Sequence, residues 1–146
     1  MDYKEKNPKA YWEIMRWLFD KDEGAGLSLV KVELGCDLDT SSGAEPATKR
    51  SEDEKANVNR GAGFMFAHDA QVINPDVEVD MLCWSMPEWV SEEYEVSNKN
   101  GYKARYKWYK ETIDAVYDTW NVKVNYVSAN KNEKELEVDW TIYLAN

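Results

Sequence analysis

Three strand-like stretches separated by long helix-like stretches constrain this chain more than any other feature. Leu27 to Leu34 (LSLVKVEL) alternates with period two, placing Val30, Val32 and Leu34 on one face and Leu29, Lys31 and Glu33 on the other. Val77 to Ser85 (VEVDMLCWS) repeats the pattern, with Asp80, Leu82 and Trp84 sharing a face, and Val122 to Ser128 (VKVNYVS) supplies a third strand. Asn7-Pro8 opens a first helix as a cap followed by proline, and Tyr11, Ile14, Met15 and Leu18 give it an apolar face. A second helix is predicted from about Arg60 to Ile73, stopped by Asn74-Pro75. A third carries Tyr102, Tyr106, Tyr109, Ile113, Val116 and Trp120 at helical spacing, an aromatic stripe read as core packing. The last starts near Lys134 and carries Leu136, Trp140 and Tyr143 or Leu144.

This α-β-α-β-α-β-α order implies an α/β fold with parallel strands and right-handed crossovers. An open doubly wound sheet and a piece of a (β/α)8 barrel both satisfy it. Length favours the open sheet, since the chain has 146 residues and complete barrels need about 250. One domain spanning 1–146 is expected, with no linker or internal repeat. Two segments read as loops: Gly35 to Asn59, long and polar, and Pro87 to Gly101 (PEWVSEEYEVSNKNG). Connections as long as the first are usually functional or disordered.

Charge narrows the partners. With 28 acidic against 18 basic residues and a net charge of −10, the chain is a poor match for phosphate backbones, whose affinity comes from Lys and Arg. Nucleic acid is therefore not expected. No apolar run approaches the roughly 20 residues that span a bilayer, and Met1 to Lys9 does not read as a signal peptide. Cys36 and Cys83 match no metal motif and are expected to be free, which leaves the compartment open. DLDTSSG (Asp37 to Gly43) lacks the glycine and terminal glutamate of a calcium loop. His68, the single histidine, lies in the second helix without an evident catalytic partner and is read as structural.

Carboxylates and tryptophans remain, gathered after the carboxyl ends of the strands where α/β folds build their sites. Asp37, Asp39, Thr40, Ser41 and Glu45-Pro46 follow the first strand, Trp84, Pro87 and Trp89 the second, and Asn130, Asn132 and Glu133 the third. Glycosidases need two carboxyl groups about the scissile bond, one able to donate a proton. Flat apolar rings suit the C–H faces of sugars. In Asn132-Glu133, the amide can bind the sugar while partial burial raises the carboxyl pKa toward the working pH. Asn-Glu alone is a weak signal.

The ordered series KVELG (Lys31 to Gly35), SSGAEP (Ser41 to Pro46), RG (Arg60-Gly61), NP (Asn74-Pro75), CWSMPEW (Cys83 to Trp89) and YVS…NE (Tyr126 to Glu133) resembles the galactocerebrosidase family, whose pattern is KVEIG, GTEP, RG, NP, WSxPxW and Y-I-G…NE. The resemblance runs from about Tyr11 onward. It implies a retaining β-galactosidase built on a TIM barrel with additional β-domains, of which this chain covers the first helix to the fourth strand-helix unit. Glu133 is then the acid/base and Asn132 its sugar-binding neighbour. Trp84 lines the galactose pocket, Thr40 or Ser41 lies on a loop contacting the sugar, and Glu45 is a motif residue with a binding or structural role. The sequence departs from the pattern in three places. The stretch before Glu133 is about one residue longer, Ala44 replaces the Thr of GTEP, and Ala47-Thr48 replaces the Ser-His that follows it.

On this resemblance the chain is a fragment that carries the acid/base but not the nucleophile, and alone it is expected to lack normal hydrolysis. No cofactor or metal enters the expectation. The expected partner is a β-galactoside, galactosylceramide-like or other, with exposed sheet edges offering self-association. A secreted or lysosome-like compartment is compatible with a longer parent. The alternatives are a non-catalytic carbohydrate-binding module and a structural α/β domain.

Overall fold

The computed structural model describes residues 2–37, 45–129 and 136–146. Its elements are α1 (Asp2–Lys6), α2 (Pro8–Phe19), β1 (Leu29–Leu34), α3 (Gly63–Ile73), β2 (Glu78–Cys83), α4 (Glu88–Val96), α5 (Asn98–Trp120), β3 (Tyr126–Ser128) and α6 (Val138–Ala145). The strands form a parallel sheet in the order β1-β2-β3, with Lys31 opposite Asp80, Leu34 opposite Cys83, and Leu82 opposite Ser128. The mixed α/β architecture and parallel pairing agree with the alternation in the sequence.

The two faces of the sheet differ sharply. Val30, Val32, Leu34, Val79, Met81 and Cys83 are buried in one core with Met15 and Phe19 of α2, Phe64, Ala67 and Ala70 of α3, and Trp108, Tyr109 and Val116 of α5. The opposite face carries Leu29, Lys31, Glu78 and Tyr126 exposed, with Asp80 and Leu82 buried between them. Polar contacts cross this face from strand to strand. Lys31 pairs with Asp80 at 3.3 Å, Ser128 donates to Asp80 at 3.0 Å, and the Tyr126 hydroxyl donates to Glu78 at 2.9 Å.

Several boundaries depart from the periodicity. Asn7 precedes Pro8 as expected, but its side chain makes no cap; its carbonyl accepts from Tyr11 N–H at 2.9 Å. The buried face of α2 is Tyr11, Met15 and Phe19, while Ile14 is exposed. Part of the supposed loop after β2 is helix α4, which starts behind Pro87 and buries Trp89 and Val90. Ser97 ends α4 and caps α5, its hydroxyl accepting from Asn100 N–H at 3.2 Å. On α5 the buried set is Gly101, Ala104, Arg105, Trp108, Tyr109, Thr112 and Val116, so Tyr106 of the predicted stripe faces solvent. The third strand is shorter than expected because Asn125 meets Val79 partly through its side chain, Oδ1 accepting from Val79 N–H at 3.1 Å. Lys134, where the last helix was expected to start, lies outside the described residues; α6 begins at Val138.

Residues 45–59 of the long connection pack onto the helices. Thr48 and Lys49 are buried. The Thr48 hydroxyl accepts from Trp108 Nε1 at 2.9 Å and shares a hydrogen bond with Thr112 Oγ1 at 2.8 Å. Lys49 Nζ bonds Glu111 and the Glu52 carbonyl and sits over the Trp89 ring, whose indole N–H returns to the Lys49 carbonyl at 3.2 Å.

Candidate active site

The carboxyl ends of the strands define one rim, formed by Gly35 to Asp37 after β1, Trp84 and Ser85 after β2, and Ala129 after β3. β1 and β2 stay linked past their ends. Trp84 N–H donates to the Leu34 carbonyl at 3.0 Å, and Ser85 Oγ donates to Cys36 Sγ at 2.9 Å. Trp84 is partly buried and directly follows Cys83, the last residue of β2. Glu33 of β1 shares a sheet face with Leu82, because the two pair in register.

Glu45 reaches the rim from the long connection. Its carboxylate accepts backbone N–H groups of Ala62 and Gly63 at the start of α3, a helix whose N-cap residue offers no side-chain cap. A carboxylate suits this position because the first helical N–H groups lack partners and carry the positive end of the helix dipole. Burial nevertheless pushes the Glu45 carboxyl above its ordinary value. The two N–H groups oppose that rise, and nearby Glu33 adds to it. Two glycines make the arrangement possible. A Cβ on Gly35 would overlap the Glu45 carbonyl, and one on Gly61 would overlap its carboxylate. Three pieces of the motif series, KVELG, EP and RG, therefore meet at one point. Arg60 completes the junction by donating to the Ala47 and Thr48 carbonyls at 3.0 and 3.2 Å and pairing with Glu54.

Asp37, from the DLDTSSG stretch, has a left-handed backbone (φ 66°). Its carboxylate takes the Arg50 guanidinium at 2.7 Å and Ala47 N–H at 3.3 Å, and the Arg50 bond holds it below the usual carboxylate range. His68 lies within α3, as its place in the sequence suggested, with Nδ1 2.8 Å from the Trp120 carbonyl. Cys36 and Cys83 are both free, and burial pushes the Cys83 thiol up.

Of the sequence-predicted site residues, Trp84 and Glu45 are described, and both lie at the rim. Thr40, Ser41, Asn132 and Glu133 lie outside the described residues. Their stretches are bounded by Asp37 and Glu45 in one case and by Ala129 and Leu136 in the other. Sequence reasoning missed the polar lattice of Lys31, Asp80 and Ser128. Its signal was a charge on alternate positions of two neighbouring strands. Arg105 was also missed, although a lone arginine within a stripe of aromatics is itself unusual, since arginine is rarely buried unless paired.

Compared with known proteins, residues 1–146 match the family model of glycosyl hydrolase family 59. The chain is 29% identical over 128 residues to a galactocerebrosidase of Danio rerio, covering 88% of this chain and 17% of that protein. It is 35% identical over 82 residues to that of Mus musculus, covering 56% and 12%. It is 31% identical over 83 residues to that of Homo sapiens, covering 57% and 12%. The chain thus spans between 12% and 17% of the length of these relatives. Among solved structures, an endo-β1,6-glucanase superposes with a TM-score of 0.61 at 14% identity, over 86% of this chain and 30% of that one. That likeness concerns the fold.

Proposed function

The chain belongs to glycosyl hydrolase family 59, and from that premise we propose that it supplies one part of the catalytic barrel of a retaining β-galactoside hydrolase, with Glu133 as acid/base. The two-faced sheet is the observation that carries the barrel reading. Parallel strands covered on both faces, in doubly wound sheets and barrels alike, are apolar almost throughout, so a polar second face is one turned toward a rim or cavity and not toward a helix layer. Here every second residue of β1 is apolar and core-facing, while Lys31, Glu33 and Asp80 point the other way. A barrel interior lined by such side chains is the simplest arrangement for that face, and 1–146 then forms a single unit of it. The same reading leaves β1 and β3 as edges through which the isolated chain self-associates.

In the proposed reaction Glu133 protonates the leaving glycosidic oxygen, and in the second step it takes a proton from the attacking water. Asn132 binds the sugar beside the scissile bond, and the Trp84 indole packs against a C–H face of galactose. Thr40 and Ser41 contact the sugar from the connection after β1. Glu45 acts through the backbone, fixing that connection to the start of α3. The family's nucleophile has no counterpart in the motif series matched here. The proposal therefore gives this segment the acid/base alone and expects no normal hydrolysis from it in isolation. No cofactor is invoked.

The test is Glu133→Gln in the complete protein. Hydrolysis of β-galactosides with poor leaving groups should fall by about 10²–10⁴-fold, the usual worth of a positioned general acid. Galactosides with strongly activated aryl leaving groups should lose far less in the glycosylation step, and added azide should restore turnover of the intermediate. Unchanged turnover of the poor substrates sinks the assignment.

A further inference from the structure

Arg105 of α5 is buried, with 4% of its side chain exposed. Its guanidinium is enclosed by rings, 4.5 Å from the Trp140 ring centroid and 5.6 Å from that of Tyr109. Burying a charge in such surroundings is costly unless strong partners compensate for the lost water. The partners here are informative. Nη2 donates to the Ala129 carbonyl, and Nη1 donates to Glu137 Oε2 at 3.2 Å. Trp140 Nε1 adds a second bond to the same Ala129 carbonyl at 2.9 Å. Ala129 directly follows β3, and Glu137 directly precedes α6. One planar cation therefore holds both ends of the connection that carries Asn132 and Glu133 in the sequence. Arg105 Nε is also buried, without an acceptor among the described residues.

We propose that Arg105 is a positioning residue for the acid/base: it fixes the spacing and orientation of the two anchor points of the β3–α6 connection, and so the approach of Glu133 to the leaving oxygen. This rests on the assignment of Glu133 made above. A guanidinium suits the task because its rigid fork can address a carbonyl and a carboxylate at once, whereas a lysine ammonium is a point charge on a flexible stem.

The test compares Arg105→Lys and Glu137→Gln with Glu133→Gln in the complete protein, on paired β-galactosides with poor and with activated leaving groups. Glu137 is half-exposed, so its variant tests one end of the clamp even if Arg105→Lys fails to fold. If Arg105 positions the acid/base, both variants lose turnover selectively on the poor leaving groups. A loss of about 10²-fold is expected for Arg105→Lys, the scale of a 1 Å misplacement, and a smaller one for Glu137→Gln. The basic limb of the pH profile should move in both. Equal losses on both substrate classes, or none, overturn the inference. If Glu133→Gln itself shows no selectivity, the acid/base assignment has failed instead, so the two failures are distinguishable.

Discussion

Trp108 donates its indole N–H to the Thr48 hydroxyl at 2.9 Å, across 60 residues of sequence and away from solvent. This bond seats the long connection on α5. Thr48→Val removes the acceptor but keeps the shape, leaving a buried indole donor unsatisfied at a cost of about 1–3 kcal/mol. Urea unfolding should show the midpoint falling for Thr48→Val and largely restored in Thr48→Ser. Equal midpoints for all three proteins would mean that the hydroxyl contributes nothing.

Gly61 and Glu45 compete for the same space. Gly61→Ala should destabilise by about 1–3 kcal/mol, the range for overpacking a filled site. Glu45→Ala alone should also destabilise, because α3 loses the acceptor for its first N–H groups. Combined, the two changes should cost less than their sum, since the smaller side chain at 45 removes the overlap. A double-mutant cycle by chemical denaturation measures this coupling, and strict additivity would contradict the geometry.

Two glutamates of this connection respond to pH with opposite sign. Arg60 holds the Glu54 carboxyl at about 2, below its ordinary 4.5. The stability from this pair is therefore fully present above about 4.5 and lost as the pH falls toward 2. Burial raises Glu45 above the same ordinary value. The folded state then binds its proton more tightly than the unfolded one, so ionisation costs stability as the pH climbs above 4.5. Unfolding midpoints across a pH series should show Glu54→Gln flattening the acid limb. Wild type should weaken relative to Glu45→Gln as the pH rises from that point, and slopes of the reverse sign would refute both assignments.

Under the sugar-stacking role proposed for it, Trp84→Ala should raise KM for β-galactosides more than it lowers kcat, since a stacking ring serves ground state and transition state alike. Trp84→Phe, which keeps a flat ring, should recover part of the loss. Steady-state kinetics of the complete protein decide this. A pure kcat effect would place the indole outside the sugar contact.

The strands and their pairing sense were legible in the sequence because alternation is a local signal. Val30, Val32 and Leu34 face the core as their spacing requires. Helix α4 was not legible: it follows a proline, its surface is mostly acidic, and Trp89 and Val90 alone are buried. The aromatic stripe of α5 was misjudged at Tyr106 because the connection bearing Thr48 covers a different flank. Burial there depends on a contact with Trp108 that no local period encodes. At the candidate site, the motif series located the rim, and Trp84 and Glu45 are there. That Glu45 caps a helix is visible only once Gly35 and Gly61 are brought beside it.

The enclosure of Lys49 gives the molecule a built-in reporter. Its amine is confined between Glu111, the Glu52 carbonyl and the Trp89 ring, with 1% of the side chain exposed. An amine-acylating reagent should mark the exposed lysines quickly and spare Lys49 until the connection lifts from α5. Peptide mass mapping over time would then read the opening rate of that segment directly, without any assay of activity.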